Sequence, residues 1–144
     1  MTHYTSYDLI EWAKPFEKRK NPLPKPKGSE VLIRVTAAGL CHSDLHVQKG
    51  YMDLGNEGRL TFAERGAELP MTFGHEIAGV VENTGPDAGA FKIGQQVLVF
   101  PWIGCGECAA CQEERESDCA SMRIIGLKQK GGFATHCLVE HEKF

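Results

Sequence analysis

Glu30-Val31-Leu32-Ile33-Arg34-Val35-Thr36-Ala37 is the stretch on which the fold turns. It is β-branched and roughly alternating, the pattern of a strand buried mainly on one face, and Ala38-Gly39 ends it. Three later runs read the same way. Residues 77–82 form a strand that stops in the turn Asn83-Thr84-Gly85-Pro86-Asp87, residues 96–100 form one stopped by Pro101, and a last one covers 133–139. A single two-turn helix is expected over 42–48, with Ser43 and Asp44 where a helix start places them and Gly50 just past the end. Short strands separated by turns, with hardly any amphipathic helix, predict a mainly β domain, a barrel or a sandwich.

The remaining segments read as connections. Residues 1–13 hold only a short apolar stretch, Leu9, Ile10 and Trp12, and the prolines of 21–28 exclude a helix or a central strand. The Lys-rich stretch 14–27 is broken by four prolines and reads as a solvated loop. Residues 51–70, rich in Gly and charge and without a clear period, are expected to be a long surface loop.

At 144 residues the chain fits one domain, 1–144, and its 42% hydrophobic and 24% charged residues are those of a folded, soluble protein. A net charge of -3 leaves no basic footprint for nucleic acid. The opening residues lack the basic start and apolar run of a signal peptide, no long apolar run suits a membrane, and crowded cysteines at metal spacing lead one to expect a reducing, cytoplasmic setting.

Cys105, Cys108, Cys111 and Cys119 make two CxxC steps followed by a gap of seven, within a lobe spanning 101–122. Tight CxxC steps let neighbouring sulfurs converge on one ion, and the excursion returns the fourth to close a tetrahedral shell with no position left for substrate. A structural zinc site follows from that closure. The lobe has few apolar residues, so metal–ligand bonds supply the order that packing cannot. An iron–sulfur run would close with a gap of three and a proline, and a zinc deaminase would need HxE ahead of Pro-Cys-x-x-Cys; the chain has neither. Gly104-x-Gly106-x-x-Ala109 mimics a dinucleotide fingerprint, yet it contains two of the cysteines and precedes no amphipathic helix.

Elsewhere, Cys41 lies in Gly39-Leu40-Cys41-His42-Ser43-Asp44-Leu45-His46 and His75 in Phe73-Gly74-His75-Glu76-Ile77-Ala78-Gly79. Each sits on a loop beside an expected strand, where a Cys and a His can meet at one metal. Taken alone, the pair reads equally well as a buried thiol and a capping or core histidine. Cys137 reads as a small core hydrophobe, His3, His136 and His141 as surface residues, and Trp102 as packing beside the lobe.

Taken in order, the Cys41 motif, the His75 motif, the four-cysteine lobe and Gly131-Gly132-Phe133-Ala134 resemble the medium-chain zinc alcohol dehydrogenase family, over essentially the whole chain. The resemblance implies a GroES-like β barrel. It implies that Cys41 and His75 are catalytic zinc ligands, and that Glu76 is an adjacent carboxylate able to enter the metal shell. Ser43 and His46 would carry the alcohol proton to solvent by way of cofactor hydroxyls. Asp44 would orient the histidine ligand, and His42 would face the cofactor pyrophosphate. The implied reaction oxidises a small alcohol or polyol to an aldehyde or ketone by hydride transfer to NAD or NADP.

Two family features are expected to lie outside these residues: a third protein ligand to the catalytic zinc, just past Phe144, and a nucleotide-binding Rossmann domain. The resemblance leaves homo-oligomerisation open. The competing reading from another class is a non-catalytic, zinc-stabilised β-barrel module that is structural or binds a partner.

Overall fold

The computed structural model describes residues 2–144. Among these, β1 (His3–Leu9), β2 (Glu17–Pro22) and β3 (Val31–Gly39) precede helix α1 (His42–Lys49). Then come β4 (Tyr51–Asp53), β5 (Arg59–Thr61), β6 (Met71–Thr72), β7 (Glu76–Thr84), β8 (Gln96–Val99) and β9 (Trp102–Ile103). Helix α2 (Ala109–Gln112), β10 (Arg123–Ile124) and β11 (His136–Val139) complete the chain. No helix among the described residues is long and apolar enough to cross a membrane.

The stretch at 31–39 forms the centre of a four-stranded antiparallel sheet, order β11-β3-β7-β8. Its Val31 and Ile33, with Ile77 and Val81 of β7, Val99 of β8 and Val139 of β11, make the main core together with Ile103 and Ile125. Cys137 is buried in that core, as expected of a small hydrophobe. A second sheet, order β2-β1-β6, meets the first through a bridge between Ser6 and Ala134. The domain is therefore mainly β, with four separate sheets among the described residues and none closed into a ring.

Two strands were illegible, for a physical reason. On β1 the inward residues are Tyr4, Ser6 and Asp8, so burial alternates while hydropathy does not. The buried polar atoms are satisfied: Thr72 Oγ1 donates to Asp8 Oδ1 at 2.7 Å and Asn21 Nδ2 donates to Ser6 Oγ at 2.8 Å. The stretch read as a basic loop is β2, whose exposed run Glu17-Lys18-Arg19-Lys20 has the charge that keeps an edge strand from pairing further.

Residues 51–70 are more than a surface loop. Tyr51–Asp53 and Arg59–Thr61 form a hairpin, and Phe62 and Leu69 pack with Leu9, Val47 and Phe73 in a second core beneath α1. Three-residue strands are too short to show a period. The strand read over 133–139 narrows to β11. His136 is not a surface residue but 5% exposed: β11 pairs it opposite Arg34, and its Nε2 lies 3.2 Å from Glu82 on β7.

Candidate metal centres and cleft

Strand pairing creates the first site. In the β3–β7 ladder Gly39 stands opposite Glu76, so Cys41, just past the end of β3, and His75, just before the start of β7, emerge at the same edge. A Cβ at Gly39 would meet the Glu76 carboxylate, which would have to swing aside. One ligand atom each from Cys41, His75 and Glu76 lies within 4.8 Å of the others.

His75 is held from both sides. The preceding Gly74 has φ +89°, and the chain crosses it closely at 131–133: Gly132 N–H donates to the Gly74 carbonyl and Phe133 N–H to that of Phe73, each at 2.8 Å. A Cβ on Gly74 would lie 2.6 Å from the Phe133 ring. The Gly131-Gly132-Phe133 motif thus clamps the loop that carries the histidine.

Helix α1 supplies the remaining groups. Cys41 is its N-cap, and the buried Asp44 carboxylate accepts the Cys41 N–H at 2.9 Å, while Gly50 closes the other end in the left-handed conformation. The other Asp44 oxygen sits 3.6 Å from His75 Nδ1, an electrostatic contact that favours the Nδ1–H tautomer and leaves Nε2 with its lone pair. Ser43 Oγ lies 3.2 Å from that Nε2. Asp44 therefore combines the helix-start position with contact to the histidine. His42 and His46 stand one turn apart on the same helix, with ring centroids 4.7 Å apart.

Cys41, Ser43, His75 and Glu76 open into a cleft of about 680 Å³ whose other walls include Ile77, Leu98 and Trp102. Trp102, expected only to pack, lies 5.2 Å from Phe100 with the two rings tilted by 57°, and forms one of these walls. Nothing in its local sequence marks it as part of the cleft, because the wall exists only once β8 lies beside β7.

The second constellation is the lobe. Cys105, Cys108, Cys111 and Cys119 converge with all four sulfurs within 4.8 Å. Separations of 3.5 Å (Cys108–Cys111) and 3.9 Å (Cys105–Cys111) bracket the roughly 3.8 Å edge of a tetrahedron with metal–sulfur bonds of about 2.3 Å. Backbone N–H groups of Cys105 and Cys108 point at the Cys119 and Cys105 sulfurs, each at 3.4 Å. N–H groups of Glu107 and Cys108 hold the Cys105 thiol down at about 6. For Cys111 the Gly106 N–H pulls the same way, but burial and the three neighbouring thiols together push it up to about 11. Four thiols so placed stabilise one another best as ligands of a soft cation.

These features define a mainly β domain with two cysteine-containing constellations suited to a metal, one closed by four thiols and one open to an apolar cleft. The family described as alcohol dehydrogenase GroES-like domain matches residues 27–144, and the chain belongs to it. An NAD-dependent alcohol dehydrogenase of Sulfurisphaera tokodaii is 42% identical over 137 residues, which are 94% of this chain and 38% of that protein. The crystal structure of the D-arabinose dehydrogenase from Sulfolobus solfataricus superposes with a TM-score of 0.81 at 30% identity, covering 99% of this chain and 39% of that one. A cobalt- and zinc-bound thermostable alcohol dehydrogenase from Pyrobaculum aerophilum superposes with a TM-score of 0.77 at 26% identity, covering 95% and 39%. The chain thus spans about 38% of the length of the curated relative.

Proposed function

We propose that the chain is the catalytic domain of a zinc-dependent alcohol or polyol dehydrogenase, oxidising a small alcohol to an aldehyde or ketone with NAD or NADP. The observation that carries this reading is the Cys41, His75 and Glu76 cluster at the floor of the cleft. The donor set fits zinc: a thiolate, an imidazole and a carboxylate leave room for a further ligand, whereas the four-thiol lobe, read as structural over 101–122, leaves none. The two sheets bridged at Ser6 and Ala134 are read as halves of the GroES-like barrel. Four cysteines crowded at metal-ligand spacing suit a reducing compartment, and we place the protein in the cytoplasm.

When bound, the metal would supply Lewis-acid chemistry and the nicotinamide cofactor hydride-accepting chemistry. The chain's own residues do the rest. Asp44 fixes the orientation of His75. Ile77, Leu98 and Trp102 line the cleft with apolar surface against which the carbon skeleton of a small substrate can pack. The Ser43 hydroxyl, beside the cluster, would accept the alcohol proton as it releases its own into the relay, and His46, three residues along the same helix, would deliver a proton to solvent. His42, exposed at the start of α1, faces the cofactor pyrophosphate.

Zinc content of the purified chain, compared with a Cys41→Ala/His75→Ala variant, tests the cluster. Two zincs falling to one supports it; one zinc in both proteins leaves only a structural lobe. Alcohol-dependent reduction of NAD or NADP, measured with the chain joined to a nucleotide-binding domain, tests the reaction, and its absence with both zincs bound refutes it.

A further inference from the structure

We propose that His42 and His46 form a third metal site, taking a borderline divalent ion such as nickel, copper or excess zinc between their imidazoles. Residues at i and i+4 share one helix face, and two histidines so spaced chelate metals elsewhere on helices. The spacing of the two rings is compatible with one shared ion. With a metal–nitrogen bond of about 2.1 Å, the ion lies about 3.2 Å from each ring centroid, so a bond angle of about 90–109° puts the centroids about 4.5–5.2 Å apart. The observed separation is 4.7 Å.

Neither ring belongs to the Cys41, His75 and Glu76 group, and neither is buried: His42 is exposed and His46 half-buried. Two neutral imidazoles without a carboxylate select transition ions over magnesium or calcium, and water completes the shell. The rings sit on a helix capped at both ends, so chelation needs little ordering of the backbone. If His42 and His46 hold the cofactor and relay roles proposed above, an ion here blocks both, making the site inhibitory. The binding itself does not depend on those roles.

Nickel, which does not oxidise thiols, is the probe. The chain is loaded with two equivalents of zinc in a His3→Ala background, which removes the imidazole nearest the amino terminus, and titrated with Ni2+ by calorimetry. We expect one nickel per chain, binding at least tenfold weaker in His42→Ala and in His46→Ala, and paramagnetic broadening of these two rings in NMR spectra. Alanine favours the helix, so both variants keep α1 folded. Unchanged nickel binding in the two variants, zinc release in place of an added nickel, or no binding below millimolar nickel would overturn the proposal. None of these outcomes bears on the zinc count that tests the proposed catalytic cluster.

Discussion

Replacing Asp44 separates the two tasks its carboxylate performs. One oxygen accepts the Cys41 N–H at 2.9 Å and caps α1; the other faces His75 Nδ1 at 3.6 Å. Asp44→Ala removes both. Asp44 is the N3 residue, so its loss removes the capping-box acceptor of the Cys41 N–H, a charge-assisted hydrogen bond at 4% exposure that contributes about 1–2 kcal/mol. For a domain of this size that is a fall in melting temperature of about 3–6 °C. Loss of the group that orients a histidine ligand weakens metal binding by about 10–100-fold. Asp44→Asn isolates the second task, because the amide oxygen still accepts the Cys41 N–H while the charge beside His75 is gone. Its melting temperature should stay close to that of the parent, yet the zinc proposed at Cys41 and His75 should be lost tenfold or more readily to a chromogenic chelator. If Asp44→Asn holds that zinc as tightly as the parent, the carboxylate only caps the helix and the positioning role is wrong. If Asp44→Ala melts with the parent, the cap contributes nothing.

Gly74→Ala should cost about 2–4 kcal/mol in denaturant unfolding, combining left-handed strain with overlap on Phe133. Gly94→Ala is the control, since Gly94 has φ +88° but open space around it; equal costs for the two would show that the crossing at 131–133 is not tight. Cys137 should resist alkylation, because burial pushes its thiol up to about 12. At pH 8 that leaves a thiolate fraction of about 10⁻⁴, against about a quarter for an ordinary thiol near 8.5. Mass spectrometry should find it unlabelled until the protein unfolds. The same shift makes its contribution to stability full below about pH 8.5 and progressively lost as pH rises toward 12. A Cys137→Ala variant should lose stability less steeply above about pH 8.5; identical alkaline slopes would refute the assignment.

The sequence by itself determined those features whose information is local. The lobe is legible because its four thiols fall within fifteen residues and CxxC geometry brings them together without help from the rest of the chain. Strands β3, β7 and β8 are legible because their inward positions are apolar and β-branched, and α1 because its cap and stop lie at its own ends. The meeting of Cys41 with His75 was suggested by family resemblance, but the residues alone left it open. It depends on Gly39 pairing with Glu76 across a ladder, a contact between distant segments that no local pattern encodes.

The same holds wherever tertiary structure decided the outcome. Strand β1 hides because Ser6 and Asp8 point inward to satisfied partners, so its burial period carries no hydropathy signal. His136 is buried by its neighbours in the sheet rather than by its own polarity. Trp102 becomes a wall of the cleft only because β8 runs beside β7. Ligand spacing and strand period act over a few residues and can be read along the chain, whereas a cleft is made by surfaces that folding alone brings face to face.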